Sequence, residues 1–280
     1  MIRSKSFDNN GPLLYLIATP IGNLKEISSR ALNTFKEMDI IACEDTRNTY
    51  SLLQQYGIKK ELFSLREHNE IEASNHLIDL LFKGKKIAYV SDAGYPGISD
   101  PGYLLVKTAL AKGVKVSSIS GSSAFINALV ASGLPTDHFY FYGFLPPKDK
   151  EATTILEKLK AKEETLIFYE SPHHIEKTIK LMNEVLKNRQ VVIARELTKL
   201  NEEYIRATLD ELVTLDFSTL KGEMVIIVEG NTSKEEISDD VIKERIDFFI
   251  KKGMSKKDAI EVVADEYKVN KNKVYKIAQN

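Results

Sequence analysis

Short apolar stretches rich in β-branched and aromatic residues alternate along the chain with longer segments whose apolar positions recur at helical spacing. The short stretches predict strands at Leu13–Ala18, Asp39–Cys43, Ile87–Ser91, Val114–Ile119, Phe139–Tyr142, Thr165–Tyr169, Gln190–Arg195, Tyr204–Thr208 and Glu223–Glu229. The segments between them predict helices at Ser28–Met38, Asn48–Tyr56, Ile71–Phe82, Tyr103–Lys112, Ser122–Ser132, Lys150–Lys160 and His173–Leu186. This alternation indicates an α/β protein whose strands are mostly parallel.

Two segments interrupt the alternation and predict linkers. Gly143–Lys148 contains Pro146-Pro147, a pair that continues neither a helix nor a central strand. Asn231–Ser238 is polar and acidic, and short helical patterns follow it at Asp239–Lys251, Ser255–Tyr267 and Asn270–Ala278. We therefore expect an N-terminal α/β domain at 1–143, a C-terminal α/β domain at 148–231 and a helical tail at 238–280.

The tail differs from the rest of the chain in its charge. The whole sequence has 39 Lys and Arg against 40 Asp and Glu, whereas the part from Lys251 onward is net positive. A near-neutral protein does not coat nucleic acid through a bulk positive field, so a nucleic-acid contact would need a local basic patch such as this one. Two interpretations stay open: a helix-turn-helix-like bundle that contacts RNA, or a solvated helical cap that closes the second domain.

Composition excludes several classes of protein. The single cysteine, Cys43, rules out an internal disulfide and a zinc site built from cysteines, and the five histidines lack ligand spacing, so no metal site is expected. The apolar runs are too short to span a bilayer, and the polar start of the chain shows no secretory signal. These features predict a cytoplasmic protein.

The loops that follow the first-half strands hold the most unusual residues of the chain. They are Thr19–Leu24, Glu44–Arg47, Asp92–Gly102 and Ser120–Ala124. Ligands of an open parallel sheet bind at the carboxyl ends of its strands, where these loops would meet. Glycine allows a close backbone approach, and serines at a helix start suit an anionic group. Turn chemistry alone would explain one such loop, but four in succession favour a ligand site.

None of these loops matches a common nucleotide-binding or hydrolase motif. The first loop has a single glycine rather than the G-x-G-x-x-G of dinucleotide-binding folds, and the chain contains no phosphate-binding G-x-x-x-x-G-K-[ST]. A Gly-x-Ser-x-Gly nucleophile elbow is also missing from the sequence. A ligand other than a dinucleotide or a hydrolysed nucleoside triphosphate is therefore expected.

Six motifs in order resemble those of one enzyme class. They are LIATPIGNL at Leu16–Leu24, ACEDTR at Ala42–Arg47, SDAGYPGISDPG at Ser91–Gly102, GSSA with ASGLP at Gly121–Ala124 and Ala131–Pro135, YGFLPP at Tyr142–Pro147, and FYESPH at Phe168–His173. From about Leu13 to Gly230 the chain resembles the tetrapyrrole methylase class, which includes the precorrin and sirohaem methyltransferases, and within it the members that methylate ribosomal RNA.

The resemblance implies two α/β domains of the tetrapyrrole methylase type with a cofactor cleft between them, plus a small C-terminal helical bundle, in a homodimer. It implies S-adenosylmethionine as cofactor and 2′-O-methylation of the ribose of a cytidine in the decoding region of small-subunit (16S) ribosomal RNA. The partner would be that RNA or the small ribosomal subunit, without a membrane or a metal ion. The first turn, Thr19–Asn23, departs from the Gly-x-Gly-Pro-Gly of the tetrapyrrole enzymes, which speaks against a porphyrinoid substrate.

The resemblance also implies the residues that hold the cofactor. By position in this sequence they are Pro20, Ile21, Gly22, Asp92, Ala93, Gly94, Pro96, Gly97, Gly121, Ser122, Ser123, Ala124, Tyr169, Glu170, Arg195 and Glu223.

The implied reaction needs a proton acceptor, because a sulfonium methyl is already activated whereas a ribose hydroxyl is a weak acid. The acceptor oxygen must lie about 3–3.5 Å from the methyl carbon, in line with the leaving sulfur. Glu44, Asp45 and Asp100 are the candidate carboxylates at the open edge of the sheet. We predict that Asp45 accepts the proton and that Arg47 holds an RNA phosphate. The alternative is that Glu44, Asp45 and Arg47 form an ion-pair network capping the next helix.

Two other questions stay open. Tyr95, Phe144 and Tyr169 could stack on an unpaired base, or the last two could belong to the core. The chain could also be a methyltransferase of the same class that acts on a tetrapyrrole or a protein, or an RNA-binding module without activity.

Overall fold

The computed structural model describes Lys5 and residues 11–232, 239–267 and 269–279. The chain divides into two compact units, one up to Asn231 and the other from Thr232 onward. The described residues of the first unit contain two five-stranded sheets. The boundary predicted inside this unit, between residues 143 and 148, stays a prediction.

The first sheet is entirely parallel and has the strand order β3-β2-β4-β1-β5. Its strands are β1 (Leu13–Ile17), β2 (Ile40–Cys43), β3 (Glu61–Ser64), β4 (Ile87–Val90) and β5 (Lys115–Ile119). The helices that follow them are α1 (Ser29–Glu37), α2 (Thr46–Gln55), α3 (Glu70–Phe82), α4 (Tyr103–Ala111) and α5 (Ala124–Ser132). Short 3-10 turns precede α1 and α3 at Leu24–Glu26 and Glu67–Asn69.

Both faces of this sheet are buried, as the parallel arrangement requires. One core contains Tyr89 and Leu77, and a second core contains Phe35 and Leu53, with all four side chains at most 2% exposed. The strands β2 and β4 are buried along their whole length. Loops at the carboxyl ends of these strands therefore rest on a rigid base.

The second sheet has the order β6-β7-β10-β8-β9, and only the β6–β7 pair is parallel. Its strands are β6 (Phe139–Phe144), β7 (Thr165–Glu170), β8 (Gln190–Arg195), β9 (Glu203–Thr208) and β10 (Met224–Val228). The helices are α6 (Asp149–Leu159), α7 (Ile175–Leu186) and α8 (Leu209–Leu212), with a 3-10 turn at Phe217–Thr219. The helix α5 joins the two sheets, because its Ala128 and Leu129 pack against residues of this second sheet.

The structure confirms the α/β fold class and corrects the sequence analysis at several points. The expectation of mostly parallel strands is wrong for the second sheet. The sequence pattern does not predict β3, because this short edge strand has an exposed first residue and no alternation to mark it. The predicted linker at Gly143–Lys148 overlaps β6, which runs through a register shift and ends at Phe144. Of the predicted linker Asn231–Ser238, residues 233–238 lie outside the described residues.

The described residues of the second unit form three helices, which confirms the three helical patterns predicted for the tail. They are α9 (Asp239–Lys251), α10 (Lys256–Glu266) and α11 (Lys271–Ile277). Ser255 caps α10 by accepting a hydrogen bond from the backbone N–H of Asp258 at 3.2 Å. The unit has its own core, formed by Ile242, Ile246, Ala259, Ile260, Val263, Ala264, Val274 and Ile277. Within the described residues, no helix combines the length and hydrophobicity needed to cross a bilayer.

Candidate functional site

A cavity of about 430 Å³ opens where the strand ends of the two sheets meet. The loops after β1, β2, β4 and β5 supply one wall. The ends of β6, β7 and β8 supply the other, together with the beginning of β10, which reaches the same edge because it runs antiparallel to β7 and β8. The lining consists of Ile21, Glu44, Asp92, Ala93, Gly94, Tyr95, Ile98, Ser99, Asp100, Ser123, Ala124, Phe144, Tyr169, Glu170, Ser171, Pro172, Leu197, Glu223, Met224 and Val225.

Many of the residues singled out from the sequence line this cavity. Those that do are Ile21, Glu44, Asp92, Ala93, Gly94, Tyr95, Asp100, Ser123, Ala124, Phe144, Tyr169, Glu170 and Glu223. Those that the structure places outside the lining are Pro20, Gly22, Asp45, Arg47, Pro96, Gly97, Gly121, Ser122 and Arg195. Leu197, Met224 and Val225 also line the cavity, but nothing in the sequence marks them, because apolar residues at strand ends look like ordinary core positions.

Close backbone contacts join the loops after β1, β4 and β5. The N–H of Thr19 donates to the carbonyl of Gly94 at 2.9 Å, and the N–H of Gly94 donates back to Thr19 at 3.1 Å. Gly94 has a φ of +76°, which favours glycine. A Cβ on Gly121 would lie 2.9 Å from the Cβ of Ala18, so this position tolerates no side chain without a backbone shift. Gly94 thus lines the cavity, and Gly121 shapes it from outside the lining.

The first loop also contacts the turn that follows β8. A Cβ on Gly22 would lie 2.5 Å from Cγ of Lys199 and 2.9 Å from Oγ1 of Thr198. The turn is strained, since Glu196 and Thr198 have φ values of +52° and +68°. Lys199 bridges the carboxylates of Glu196 at 2.8 Å and Glu223 at 3.3 Å. These contacts hold Leu197 and Glu223 at the cavity wall.

Three acidic side chains line the first-sheet side of the cavity. Asp92 accepts hydrogen bonds from Nδ2 of Asn48 at 2.7 Å and from the N–H of Asp45 at 3.3 Å, which ties the loop after β4 to the start of α2. Burial, followed by repulsion from Glu44, raises the pKa of Asp100 to about 6. Burial, followed by repulsion from Asp92, also raises the pKa of Glu44. Asp100 can therefore exchange a proton near neutral pH.

Asp45 has a different environment, because Arg47 occupies its carboxylate. The N–H and Nε of Arg47 donate to Oδ1 at 2.8 and 3.1 Å, and Nη2 donates to Oδ2 at 2.6 Å. These hydrogen bonds hold the pKa of Asp45 well below its usual range. Asp45 is also the N-cap of α2. The contacts favour the open alternative of an ion pair that caps the helix, and the proton-acceptor role of Asp45 stays a prediction.

On the second sheet, the side chains of Glu170 and Arg195 already have hydrogen-bond partners. Glu170 is buried and its oxygens accept from the N–H of Ser171 at 2.7 Å and from Oγ1 of Thr178 at 2.5 Å, which makes it a support of the wall. Arg195 donates through Nε to Glu203 at 2.5 Å, outside the lining. The ring of Tyr169 lies 5.5 Å from that of Phe144.

Phe144 and Tyr169 form an aromatic pair at the cavity. Burial raises the pKa of the Tyr169 hydroxyl to about 12. Phe144 is 55% exposed, so its ring is accessible to a bound group. Tyr95 lines the same cavity, and its hydroxyl accepts a hydrogen bond from the N–H of Gly121 at 3.1 Å. Stacking of a base on these rings stays a prediction.

The chain belongs to the family of tetrapyrrole (corrin/porphyrin) methylases, whose model matches residues 13–213. Full-length relatives are named ribosomal RNA small subunit methyltransferase I. The protein of Halalkalibacterium halodurans is 47% identical over 276 residues, covering 96% of this chain and 95% of its own. Those of Bacillus subtilis and Haemophilus influenzae are 41% and 44% identical over 282 and 270 residues, covering 98% and 94% of this chain and 97% and 95% of their own.

Solved structures of low sequence identity share the fold. Diphthine synthase superposes with a TM-score of 0.62 at 16% identity, covering 78% of this chain and 89% of its own. The methyltransferase CobJ gives 0.59 at 16% identity, covering 79% of this chain and 95% of its own. Uroporphyrin-III-C-methyltransferase from Thermus thermophilus gives 0.53 at 17%, covering 78% and 94%. These superpositions confirm the expected fold class. The family match and the relatives of 41–47% identity show that the chain is a methyltransferase.

S-adenosylmethionine is the methyl donor of this family's methyltransferases, and the cavity fits it. The volume of about 430 Å³ lies in the range of small-molecule sites. Ile21, Leu197 and Val225 offer apolar surface for a flat base, and the start of α5 at Ser123 and Ala124 offers backbone polar groups. Across the described ranges, no three His, Cys, Asp or Glu side chains are grouped so as to hold a metal ion.

Proposed function

We propose that the chain transfers a methyl group from S-adenosylmethionine to the ribose 2′-hydroxyl of a cytidine in the decoding region of small-subunit ribosomal RNA. The observation that carries this proposal is the 41–47% identity, over at least 94% of the chain, to proteins named ribosomal RNA small subunit methyltransferase I. The cavity supports it, because it combines a donor-sized space with ionisable carboxylates and an exposed aromatic ring.

The cavity residues divide the work of binding. S-adenosylmethionine supplies a methyl group already activated by its sulfonium charge. Ile21, Leu197 and Val225 would exclude water from an adenine, while Ser123 and Ala124 would donate backbone hydrogen bonds. The lining carries five acidic residues and neither Lys nor Arg among the residues described, so it attracts a cationic donor and favours it over the product, which has lost the sulfonium charge.

Asp100 is the carboxylate best placed to accept the proton of the 2′-hydroxyl. It lines the cavity, and its raised pKa of about 6 leaves it ionised but basic near neutral pH. Both oxygens of Asp45, in contrast, already accept hydrogen bonds from Arg47. Glu44 lies in the same cavity and helps to keep the Asp100 pKa raised.

The setting of the reaction is part of the same proposal. The acceptor would be the ribosomal RNA or the assembled small subunit, the enzyme would act as a homodimer, and it would be cytoplasmic. We also propose that residues outside the cavity lining contribute to the cofactor site. They are Pro20, Gly22, Pro96, Gly97, Gly121, Ser122 and Arg195.

Methyl transfer from a labelled donor tests the function. Small ribosomal subunits lacking this modification, deproteinised RNA from them and a porphyrinogen would each be incubated with the protein and labelled S-adenosylmethionine. We expect label on the RNA at a cytidine ribose, detected as resistance of that linkage to alkaline hydrolysis. Label on the porphyrinogen, or on a ribosomal protein, would contradict the proposal, and so would no label on any acceptor.

A further inference from the structure

We propose that Arg47 and Arg66 form a clamp for the phosphates of the RNA chain at the rim of the cavity. The inference rests on the proposed function and adds to it a phosphate-binding surface on the first sheet. Its ligand is the sugar–phosphate backbone next to the methylated ribose, and it would be recognised by charge and shape rather than by base sequence.

The two arginines follow neighbouring strands of the first sheet. Cys43 at the end of β2 pairs in register with Ser64 at the end of β3. Arg66 comes two residues after β3, and its Nε donates to the backbone carbonyl of Glu44 at 3.1 Å. Since the side chain of Glu44 lines the cavity, Arg66 is anchored to the cavity rim itself.

Both guanidinium groups are held in place but keep free donors. Asp45 fixes Arg47 through Nε and Nη2, and the Arg47 side chain is nevertheless 85% exposed. Arg66 is exposed and is fixed through Nε alone. Nη1 of Arg47 and both terminal nitrogens of Arg66 make no hydrogen bond with any residue that the structure describes. A guanidinium fixed in this way loses little entropy when it binds a phosphate.

The charge of the cavity explains why such a clamp is needed. A polyanionic RNA chain must bring a ribose close to Glu44, Asp92 and Asp100, which repel its phosphates. No Lys or Arg belongs to the described lining, so the compensating charge has to come from the rim. The 2′-oxygen and the 3′-phosphate oxygen are on adjacent carbons of one sugar. A cation at the rim can therefore contact the phosphate while the hydroxyl enters the cavity.

Asp45 acquires a defined role in this arrangement as a positioning residue. Its carboxylate holds the Arg47 fork and its N–H holds Asp92, so it orders the rim without touching the reacting atoms. Asp45→Asn should then raise the KM for RNA while kcat at saturating RNA stays within about twofold. A large loss of kcat at saturation would instead make Asp45 the proton acceptor and would overturn this role.

The clamp is tested with Arg47→Gln, Arg66→Gln and the double variant in the full chain. Lys59→Gln is the matched control, because Lys59 is exposed but precedes β3. It therefore lies at the amino end of that strand, whereas Arg66 follows the carboxyl end. Binding of unmodified small subunits and of their RNA is measured at several salt concentrations, and donor binding by calorimetry. We expect each Arg variant to weaken RNA binding about tenfold. The salt slope should fall by about 0.7 for each arginine lost on a single strand.

The outcomes separate the clamp from the proposed function. The clamp is overturned if the wild type methylates RNA while the Arg variants bind it as tightly and with the same salt slope as Lys59→Gln. Weakened donor binding in the Arg variants would also overturn it, because it would place the arginines in the donor site. A wild type that methylates no RNA would refute the proposed function itself, and the clamp with it.

Discussion

Asp45 and Asp100 lie in loops that follow neighbouring strands of the first sheet, and their environments push their pKa values in opposite directions. Arg47 donates three hydrogen bonds to Asp45, which stabilise the charged form. Asp100 is partly buried beside Glu44, and both its burial and the charge of Glu44 destabilise its ionised form. The sequence identifies both as carboxylates at one edge, but the choice between them depends on the contacts that the fold provides.

Asp100→Asn is expected to lower kcat by about 10²- to 10⁴-fold, because the variant cannot accept the hydroxyl proton. In the wild type, kcat should rise with pH through about 6 as the Asp100 carboxyl loses its proton. The measurement is a pH profile of methyl transfer at saturating donor and RNA. A profile that is flat from pH 5 to 8, or a variant with normal kcat, would exclude Asp100 as the acceptor.

The same substitution should increase stability at neutral pH. The pKa of Asp100 is higher in the folded protein than in the unfolded chain, so folding favours its protonated form. That contribution is fully present below the ordinary carboxyl pKa and is lost as the pH rises through about 6. Thermal melts should therefore show Asp100→Asn more stable than the wild type at pH 8 and little different at pH 4. If the wild type and Asp100→Asn melted at the same temperature at pH 8 as well as at pH 4, the result would contradict the burial of this charge.

Glu44→Gln is expected to weaken S-adenosylmethionine binding about fivefold, corresponding to roughly 1 kcal/mol for one charge pair. S-adenosylhomocysteine lacks the sulfonium charge and serves as the matched control ligand, so its affinity should change much less. Isothermal titration with both ligands makes the comparison. Equal losses for the two ligands would show that Glu44 acts through shape rather than charge.

At the scale of elements, most strands and helices could be predicted because apolar periodicity survives in them. The edge strand β3 could not, since its Glu61–Ser64 sequence is short and partly exposed. The antiparallel order of the second sheet also left no local signal, because pairing direction depends on how distant strands meet. That order matters for the site, as it brings Glu223 and Met224 to the cavity.

Gly121→Ala tests the close contact between the loop after β5 and the end of β1. Its Cβ would meet Ala18 Cβ at 2.9 Å and Ala18 O at 3.0 Å, so the backbone must move. We expect a loss of about 1–3 kcal/mol in unfolding free energy and weaker donor binding. Gly113→Ala is the control, because its φ of +80° makes alanine unfavourable while no atom lies nearby. Gly113→Ala should lose stability but keep its affinity for the donor. If the two variants bound the donor equally well, the contact between Gly121 and Ala18 would not shape the donor site.

At the scale of the whole molecule, the two units have separate hydrophobic cores. In the sequence, a polar segment and a change in charge precede the helices of the second unit. The exposed lysines of the second unit include Lys251, Lys256, Lys257, Lys273 and Lys276. Two ion pairs, Arg245–Glu266 and Lys271–Glu261, use other charges of the unit. The remaining lysines support a contact with RNA, and the alternative of a solvated cap stays open.

A chain ending at Asn231 should keep its affinity for S-adenosylmethionine within about twofold and bind RNA at least tenfold more weakly. Each unit has a core of its own, so the first unit is expected to fold without the second. Calorimetry and RNA binding at two salt concentrations provide the comparison with the full chain. A joint loss of both affinities would instead identify the second unit as a folding element.

We propose that strand ends of the two sheets enclose one site, in which the methyl donor faces a proton acceptor. A crystal structure of the protein with S-adenosylhomocysteine tests it most directly. We expect the ligand in the cavity, with its adenine against Leu197 and Val225 and its sulfur on the side of Asp100. A ligand bound elsewhere, or one whose sulfur lies far from every carboxylate of the first sheet, would contradict it.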